Sequence, residues 1–448
     1  MQKFDVVVIG TGSAGKGAAD QLHEGGKTVA IIDKQPFGGT CSQRGCDPKK
    51  ILVGAAEIVA RSEELSQKGI AAVASIDWPA LIRYKKTFTD PIPEKTEASF
   101  AKTGIKSFHG TASFLSANTI QVGDTQLEAD YFVIASGSHP ALLDIPGEEL
   151  LIDSTGFMEL KELPDRIVLV GGGYIAFEFA HVAARAGAHV TIVHRGELPL
   201  EGFDPDLVKL LVKATQGLGI QVLLNAKVTE IKGEAGQFSV LVRQDDKDQV
   251  IDTRLVVHAA GRPPDLKDLA VEKAGVDATK KGVTVNPYMQ SVSNPTIYAC
   301  GDAADRGLPL SPLASQEARL VATNILEGNQ QKFPEEAIPS VVFTLPPLAT
   351  VGLSEEKARE QGKKVKVLFQ ETTDWYTSKR INEPASGFKI LIEEESDLIV
   401  GAHLLGSNSD ELINIFTLAI NQRIPASTLA STIFAYPTRA SDLSHMLR

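Results

Sequence analysis

The chain has 448 residues, 43% of them hydrophobic, with 45 Lys and Arg against 56 Asp and Glu and a formal net charge of −11. That length exceeds what one core organises, so several domains are expected, and the acidic balance argues against nucleic acid or an anionic membrane surface as partner. No run approaches the roughly 18 apolar residues of a bilayer span, no signal-like series precedes the first strand, and three cysteines make no disulfide scaffold, so the expected address is cytoplasmic.

In chain order, residues 4–9 (FDVVVI) form a continuous apolar run of the kind buried in a parallel sheet. Gly10-Thr11-Gly12-Ser13-Ala14-Gly15 follows, then Ala18, Ala19 and Leu22 at helical spacing, then a second strand over 29–32 ending in Asp33. Glycines allow a tight turn and the close approach of a pyrophosphate, a helix N-terminus favours its charge, and an acid ending the second strand binds a ribose hydroxyl. Strand, loop, helix, strand and acid in register predict a dinucleotide-binding fold.

Shortly afterwards comes Gly38-Gly39-Thr40-Cys41-Ser42-Gln43-Arg44-Gly45-Cys46-Asp47-Pro48-Lys49-Lys50. Two of the three cysteines lie five residues apart, where a dithiol would exchange electrons with a bound dinucleotide. A regular helix holds such residues roughly 8 to 9 Å apart at Cα, beyond disulfide reach. If the pair bonds, the segment is irregular, and Gly45 and Pro48 are suited to making it so. Arg44 favours a neighbouring thiolate and Asp47 opposes one. Cys300, in a strand-like run, reads as a buried hydrophobe.

The nucleotide pattern returns: a strand over 166–170 (RIVLV), Gly171-Gly172-Gly173-Tyr174-Ile175-Ala176, a helix over 177–186 and a strand over 190–193. Here the second strand ends in His194-Arg195. An acid there accepts from a free 2′-hydroxyl, whereas Arg195 attracts a 2′-phosphate, so this site is expected to take NADPH, with NADH second. Ala176 in place of a final glycine points the same way. Two nucleotide sites flanking a dithiol imply a relay, and the nucleotide nearest the cysteines is expected to be a flavin.

On these motifs the sequence resembles the pyridine nucleotide-disulfide oxidoreductases, in the class I branch containing glutathione reductase, dihydrolipoamide dehydrogenase and mercuric reductase. The resemblance extends to residues 132–137 (FVIASG) and 258–265 (HAAGRPPD), similar to the crossings between flavin and nicotinamide domains, and to residues 297–302 (IYACGD), similar to the second flavin motif. Residues 343–352 are similar to the opening of the dimerisation domain. The implied fold is α/β: two Rossmann-like dinucleotide-binding domains, for FAD and NAD(P), plus a C-terminal α+β dimerisation domain. The implied boundaries are 1–145 with 266–333 for FAD, 146–265 for NAD(P)H and 334–448 for the interface of a homodimer.

Carried over residue by residue, the resemblance makes Cys41 the interchange thiol and Cys46 the charge-transfer thiol of a redox-active disulfide. Lys50 becomes the lysine at the flavin edge, Glu178 its partner, and Tyr174 the lid of the nicotinamide pocket. FAD contacts are implied for Gly10, Gly12, Ser13, Ala14, Gly15, Asp33, Lys34, Gly39, Thr40, Lys50, Ala112, Ser136, Gly137 and Asp302, the last on the ribityl chain. NADPH contacts are implied for Gly171, Gly173, Tyr174, Ile175, Glu178, His194, Arg195, Gly261 and Arg262. The implied substrate is a small disulfide or another oxidised small molecule.

The family signature His-Pro-Thr-x-x-Glu, whose histidine serves the partner's dithiol as acid–base, reads Tyr436-Pro437-Thr438-Arg439-Ala440-Ser441 here. A tyrosine, ordinarily titrating near ~10, is no base at neutral pH but can donate a proton or hydrogen-bond a leaving thiolate. A substrate with a better leaving group than an alkyl thiol, or a metal ion, needs that histidine less. Mercuric reductases also lack it but carry a C-terminal cysteine pair, whereas this sequence ends Ser444-His445-Met446-Leu447-Arg448. His445 and Asp442 are the residues near enough in sequence to stand in for the missing pair. The leading expectation is an NADPH- and FAD-dependent disulfide reductase. The alternatives are a reductase of a metal ion, quinone or activated oxidant, and a slow redox-sensing flavoprotein.

Overall fold

The computed structural model describes residues 1–234 and 236–448, which divide into two compact units. The first comprises Met1–Lys49, Arg83–Ala141 and Gly261–Pro334. Strands β1 (Gln2–Ile9), β2 (Val29–Asp33), β3 (Lys106–His109), β4 (Ala112–Ser116), β5 (Thr119–Val122) and β6 (Thr125–Ile134) lie in the order β3-β2-β1-β6-β5-β4. The pairs β3-β2, β2-β1 and β1-β6 are parallel, and strand Ile297–Ala299 adds to β6, also in parallel. Covered on both faces, this central part has no use for alternation: Val6, Val7, Val8, Ile31, Ile32 and Phe132 are all fully buried.

Helix α1 (Ser13–Glu24) leaves the tip of β1 through the glycine loop. Gly10 has φ +109, and a Cβ there would lie 2.1 Å from the carbonyl oxygen of Ala135. No other residue fits that turn. Helices α2 (Gly39–Arg44) and α3 (Cys46–Glu64) follow, separated by Gly45 at φ −141°, ψ −121°. The chain leaves this unit and returns through two antiparallel stretches: the amides of His139, Ala141 and Asp265 bond the carbonyls of Pro263, Gly261 and Gly137 at 3.0, 3.0 and 2.8 Å.

The second unit comprises Lys50–Ile82, Leu142–Ala260 and Glu335–Arg448. A four-stranded parallel sheet, ordered Leu255–His258, Arg166–Val170, His189–Val193, Gln221–Leu223, repeats the nucleotide-fold logic on a smaller scale. A three-stranded antiparallel sheet accompanies it. A five-stranded antiparallel sheet, ordered Ser340–Val342, Leu348–Gly352, Leu398–Leu405, Gly387–Glu393, Val365–Glu371, packs Val351 and Ile390 against Ile413 and Phe416 of helix Ser409–Asn421. This is the α+β layer expected at the C-terminus. Residues 50–82 pack with the second unit, and its internal boundaries fall at 142 and 260, against the expected 146 and 265.

Lys389, 3% exposed at its side chain, joins the C-terminal sheet to the smaller parallel-sheet region. Its Nζ lies 2.9 Å from Asp204, 2.5 Å from Asp206 and 3.5 Å from Glu355. Asp204 also caps helix Pro205–Gly217, accepting from the amides of Asp206 and Leu207.

Candidate active site

The break at Gly45 decides the dithiol geometry. It ends α2 after Cys41 and starts α3 at Cys46, so the two free thiols sit on different helices and act on each other's titration. This is the irregularity that Gly45 was expected to supply; Pro48 instead lies within the first turn of α3, where a missing amide costs nothing. The Cys46 sulfur is 3.8 Å from Ser311 Oγ, and the Cys41 sulfur is 4.0 Å from Asp47 Oδ1.

These contacts split the titration of the pair. The neighbouring Cys41 thiol draws the Cys46 thiol down to about 6, helped by Ser311 and Lys49 and opposed by partial desolvation and Asp47. Cys41 moves up, through the neighbouring Cys46 and through partial burial. One proton is therefore held on Cys41, and Cys46 is the resting thiolate. A neighbouring cation that favours this thiolate is Lys49, while Asp47 opposes it as expected. Cys300 is fully buried, with its thiol pushed up by desolvation.

The first glycine loop forms a cradle. A Cβ at Gly15 would lie 1.9 Å from Gly10 O, and one at Gly39 would lie 2.2 Å from Gly12 Cα. Ser13 and Ala14 open α1, and Thr40 follows Gly39 in α2. Asp33 ends β2 and is fixed by the Thr11 amide and hydroxyl at 2.8 and 2.6 Å. Ser136 Oγ, beyond the end of β6, is buried without a hydrogen-bond partner beside Gly137 at φ +71. Asp302 accepts from Ser138 Oγ at 2.8 Å, and Arg262 Nη2 donates to Ser138 O at 2.7 Å. An open glycine turn, a helix N-terminus and an orphaned hydroxyl fit the pyrophosphate-bearing FAD. Lys34 is tied to Asp265 and Asp268 at 3.0 Å each, and Ala112 is buried at the start of β4. Glu317, 1% exposed, accepts from the Gly301 amide at 2.7 Å with Oε2, while Oε1 has no hydrogen-bond partner. Burial pushes this carboxyl up to about 7.

In the second unit, Gly171 has φ +130, and a Cβ there would lie 2.1 Å from Ala259 O. Gly173 precedes helix Tyr174–Arg185 in extended backbone, with open space where its Cβ would be. Tyr174 is about half exposed, and Ile175 follows in the first turn. His194 differs from expectation. Its ring packs against Gly172, its Nε2 meets Leu198 O at 3.1 Å, and it is buried rather than offered to a ligand. Desolvation lowers its pKa, so it stays neutral. Arg195 is exposed one residue on. Gly261 (φ +109) and Arg262 belong to the returning stretch of the first unit.

The expected Lys50–Glu178 pair does not form. Lys50 Nζ lies 3.1 Å from Glu57 Oε1, two helical turns along α3, 3.9 Å from Asp410 Oδ2 and 4.3 Å from the Phe343 ring centre. Glu178, 2% exposed, accepts the Phe343 amide at 2.8 Å. Helix phase is the reason: α3 starts at Cys46, and of the two consecutive lysines it is Lys49 that bears on the Cys46 thiol.

Tyr436 is 78% exposed at the tip of the C-terminal segment. Ser441 turns its hydroxyl back to Thr438 O at 2.5 Å. Asp442 is buried against Thr377 Oγ1 at 2.5 Å, and His445 packs edge-on to Trp375, so each has a structural partner within its own subunit. Lys49, Ser311 and Glu317 were not anticipated. Lys49 was signalled only by helix phase, and the other two come from a helix remote in sequence.

Residues 4–318 match the pyridine nucleotide-disulphide oxidoreductase family, and residues 338–447 match its dimerisation domain, which supports a homodimer. The chain is 31% identical to a mercuric reductase of Staphylococcus aureus, over 98% of this chain and 81% of that protein. It is 32% identical to a glutathione reductase of Burkholderia cepacia (99% and 98% covered) and to a dihydrolipoyl dehydrogenase of Chlamydia muridarum (98% and 95%). The Cu(II) complex of the HOCl-induced flavoprotein disulfide reductase RclA from Escherichia coli superposes with a TM-score of 0.88 at 28% identity, covering 100% and 99% of the two chains. Among the described residues no helix is long and apolar enough to cross a membrane. With both glycine loops, the thiol pair and the dimerisation domain in place, the chain belongs to the class I pyridine nucleotide-disulfide oxidoreductases and is an FAD-dependent oxidoreductase.

Proposed function

We propose that this enzyme reduces a small disulfide with NADPH, through FAD and the Cys41–Cys46 pair, as a cytoplasmic homodimer. The observation that carries the reading is the pair of free thiols that the break at Gly45 sets at the ends of two helices, where Cys41 draws the Cys46 thiol down and is itself pushed up. Bound FAD supplies two-electron exchange between a hydride donor and sulfur.

The chain's own residues account for the rest. The first glycine loop, Asp33 and Asp302 hold the flavin, and the Gly171–Gly173 loop with Tyr174 and Ile175 holds the nicotinamide nucleotide. Arg195, exposed at the end of strand His189–Val193, attracts the 2′-phosphate that distinguishes NADPH from NADH. Moving the shared proton from Cys41 to Cys46 frees the Cys41 thiolate. That thiolate attacks one substrate sulfur, forming a mixed disulfide and expelling the other half as a thiolate. This leaving thiolate takes the proton back from Cys46, directly or through the Tyr436 hydroxyl of the partner subunit. Cys46 then attacks the Cys41 sulfur, closing the enzyme disulfide and releasing the second thiolate. One substrate disulfide is reduced and one enzyme dithiol is oxidised, with one proton passed to product. Lys49 and Ser311 steady the Cys46 thiolate between the two attacks.

A second reading, reduction of a metal ion or activated oxidant, draws on Tyr436 and Ser441 in place of the acid–base pair, and on the copper complex of the RclA relative. The test is NADPH oxidation by holoenzyme against glutathione, coenzyme A, cystine and lipoamide disulfides, and against mercuric ion, cupric ion and a quinone, with Cys41→Ser alongside. Turnover of one disulfide, abolished by Cys41→Ser and faster with NADPH than NADH, supports the leading reading. Turnover with only a metal or quinone refutes it.

A further inference from the structure

The C-terminal segment that carries Tyr436 has few ties of its own. Ile433 is 97% exposed and Tyr436 78% exposed. The hydrogen bonds around them are local: Thr432 Oγ1 to Thr428 O at 2.9 Å, Thr438 Oγ1 to Ala435 O at 2.6 Å, and Ser441 Oγ to Thr438 O at 2.5 Å. The hydroxyl at 441, where the family signature has a glutamate, thus serves only the turn that follows.

Three residues after Tyr436 the situation reverses. Arg439, 9% exposed at its side chain, donates through Nη1 to Ser378 Oγ at 2.8 Å and Thr377 Oγ1 at 3.1 Å. Its Nη2 reaches Ser386 Oγ and Glu383 Oε2, the latter at 3.3 Å, and Asp442 lies 3.7 Å from Nη1. Glu383 is itself 1% exposed at its side chain and accepts from the Ser407 amide, while Ser407 Oγ accepts from Arg61 Nη2 at 3.0 Å. Gly406 makes the room: a Cβ there would lie 2.2 Å from Arg439 Nη2. Three hydroxyls, a buried carboxylate and a glycine thus form a slot with the shape of a planar guanidinium, whose forked donors an ammonium does not reproduce.

We propose that Arg439 is a positioning residue: seated in the Thr377–Ser378–Glu383–Ser386 slot, it fixes the turn that presents Tyr436 to substrate, the task the family signature gives to the glutamate absent at 441. The inference rests on the proposed role of Tyr436. Arg439 acts through that phenol and touches no reacting atom.

The test uses holoenzyme carrying Arg439→Met, Arg439→Lys and Glu383→Gln, each alone and combined with Tyr436→Phe. Arg439→Met is expected to lower kcat/KM for the acceptor roughly 10- to 100-fold, the scale of a misplaced catalytic group. In the Tyr436→Phe background the same change should cost less than about twofold, because the positioned hydroxyl is already gone. Flavin reduction by NADPH should stay within about twofold of wild type. Amide exchange over 432–438 should accelerate while that of strand Gly387–Glu393 stays constant, and Arg439→Lys should recover only part of the loss. Equal costs in both backgrounds, or unchanged exchange over 432–438, would overturn the proposal. If Arg439→Met does not fold, Glu383→Gln carries the same comparison with the guanidinium retained. If Tyr436→Phe costs nothing while exchange over 432–438 rises, the anchoring stands and the proposed role of Tyr436 falls.

Discussion

The shared proton of the dithiol gives a prediction that can be worked through. Removing the Cys41 thiol by Cys41→Ala deletes the largest influence drawing the Cys46 thiol from 9.0 to about 6. With the donor gone, burial and Asp47 remain against Ser311 and Lys49, so the Cys46 midpoint should rise by at least about 2 units. A rate at one pH would hide this. For a rise of about 2 units the thiolate fraction at pH 7 falls from about 90% to about 9%, but a more basic thiolate is intrinsically about 6- to 10-fold more nucleophilic, leaving alkylation less than about twofold slower. The informative assay is therefore the pH midpoint of iodoacetamide labelling at Cys46 in the reduced enzyme, read by peptide mass spectrometry. Cys41→Ser, which keeps a hydroxyl donor, should lie between wild type and Cys41→Ala. A midpoint within half a unit of wild type in Cys41→Ala would refute the shared-proton argument.

Three further outcomes are expected. The folded Glu317 carboxyl, raised from 4.5 to about 7, keeps a proton that the unfolded chain releases, so its contribution is full below the unfolded value and is lost as pH rises through 7. Glu317→Gln removes that dependence, and its stability relative to wild type should grow by about 2–3 kcal/mol between about pH 5 and pH 8, read from urea midpoints. Gly10→Ala places a Cβ 2.1 Å from Ala135 O at φ +109 and should cost about 2 kcal/mol or more; the purified protein should retain little flavin absorbance. Lys389→Met leaves the 1% exposed Asp204 without its cation and should cost about 3–5 kcal/mol in denaturation experiments, with Asp204→Asn in the same chain restoring part of it.

Both nucleotide folds were legible because their signals are local. A buried parallel strand, a glycine turn and a helix N-terminus must be consecutive, so Gly10, Gly15 and Gly171 could be read with their reasons attached. The dithiol was legible for the same cause, including the break at Gly45. The misreadings came from tertiary phase. Lys49 and Lys50 are adjacent in sequence, and only the start of α3 at Cys46 decides which faces the thiol. His194 reads as a ligand beside Arg195, yet the missing side chain at Gly172 gives its ring a place to bury. Ser311 and Glu317 belong to helix Ser311–Glu327, which no spacing relates to Cys46 or Gly301. The Tyr436 departure was visible, but the slot around Arg439 needed four segments brought together.

The paired stretches 137–141 and 261–265 have a consequence for how this chain can be rebuilt. They hold the exit and the return of the chain side by side, so everything between 142 and 260 is a cassette whose ends already meet. Such a junction tolerates exchange where a new insert closes its own ends and keeps its contacts with the rest of the second unit. A cassette from a relative with the opposite preference between NADPH and NADH could be spliced there, provided it brings an acid at the place of Asp204 for Lys389 to meet. The hydride donor could then be changed without altering a single residue around the thiols.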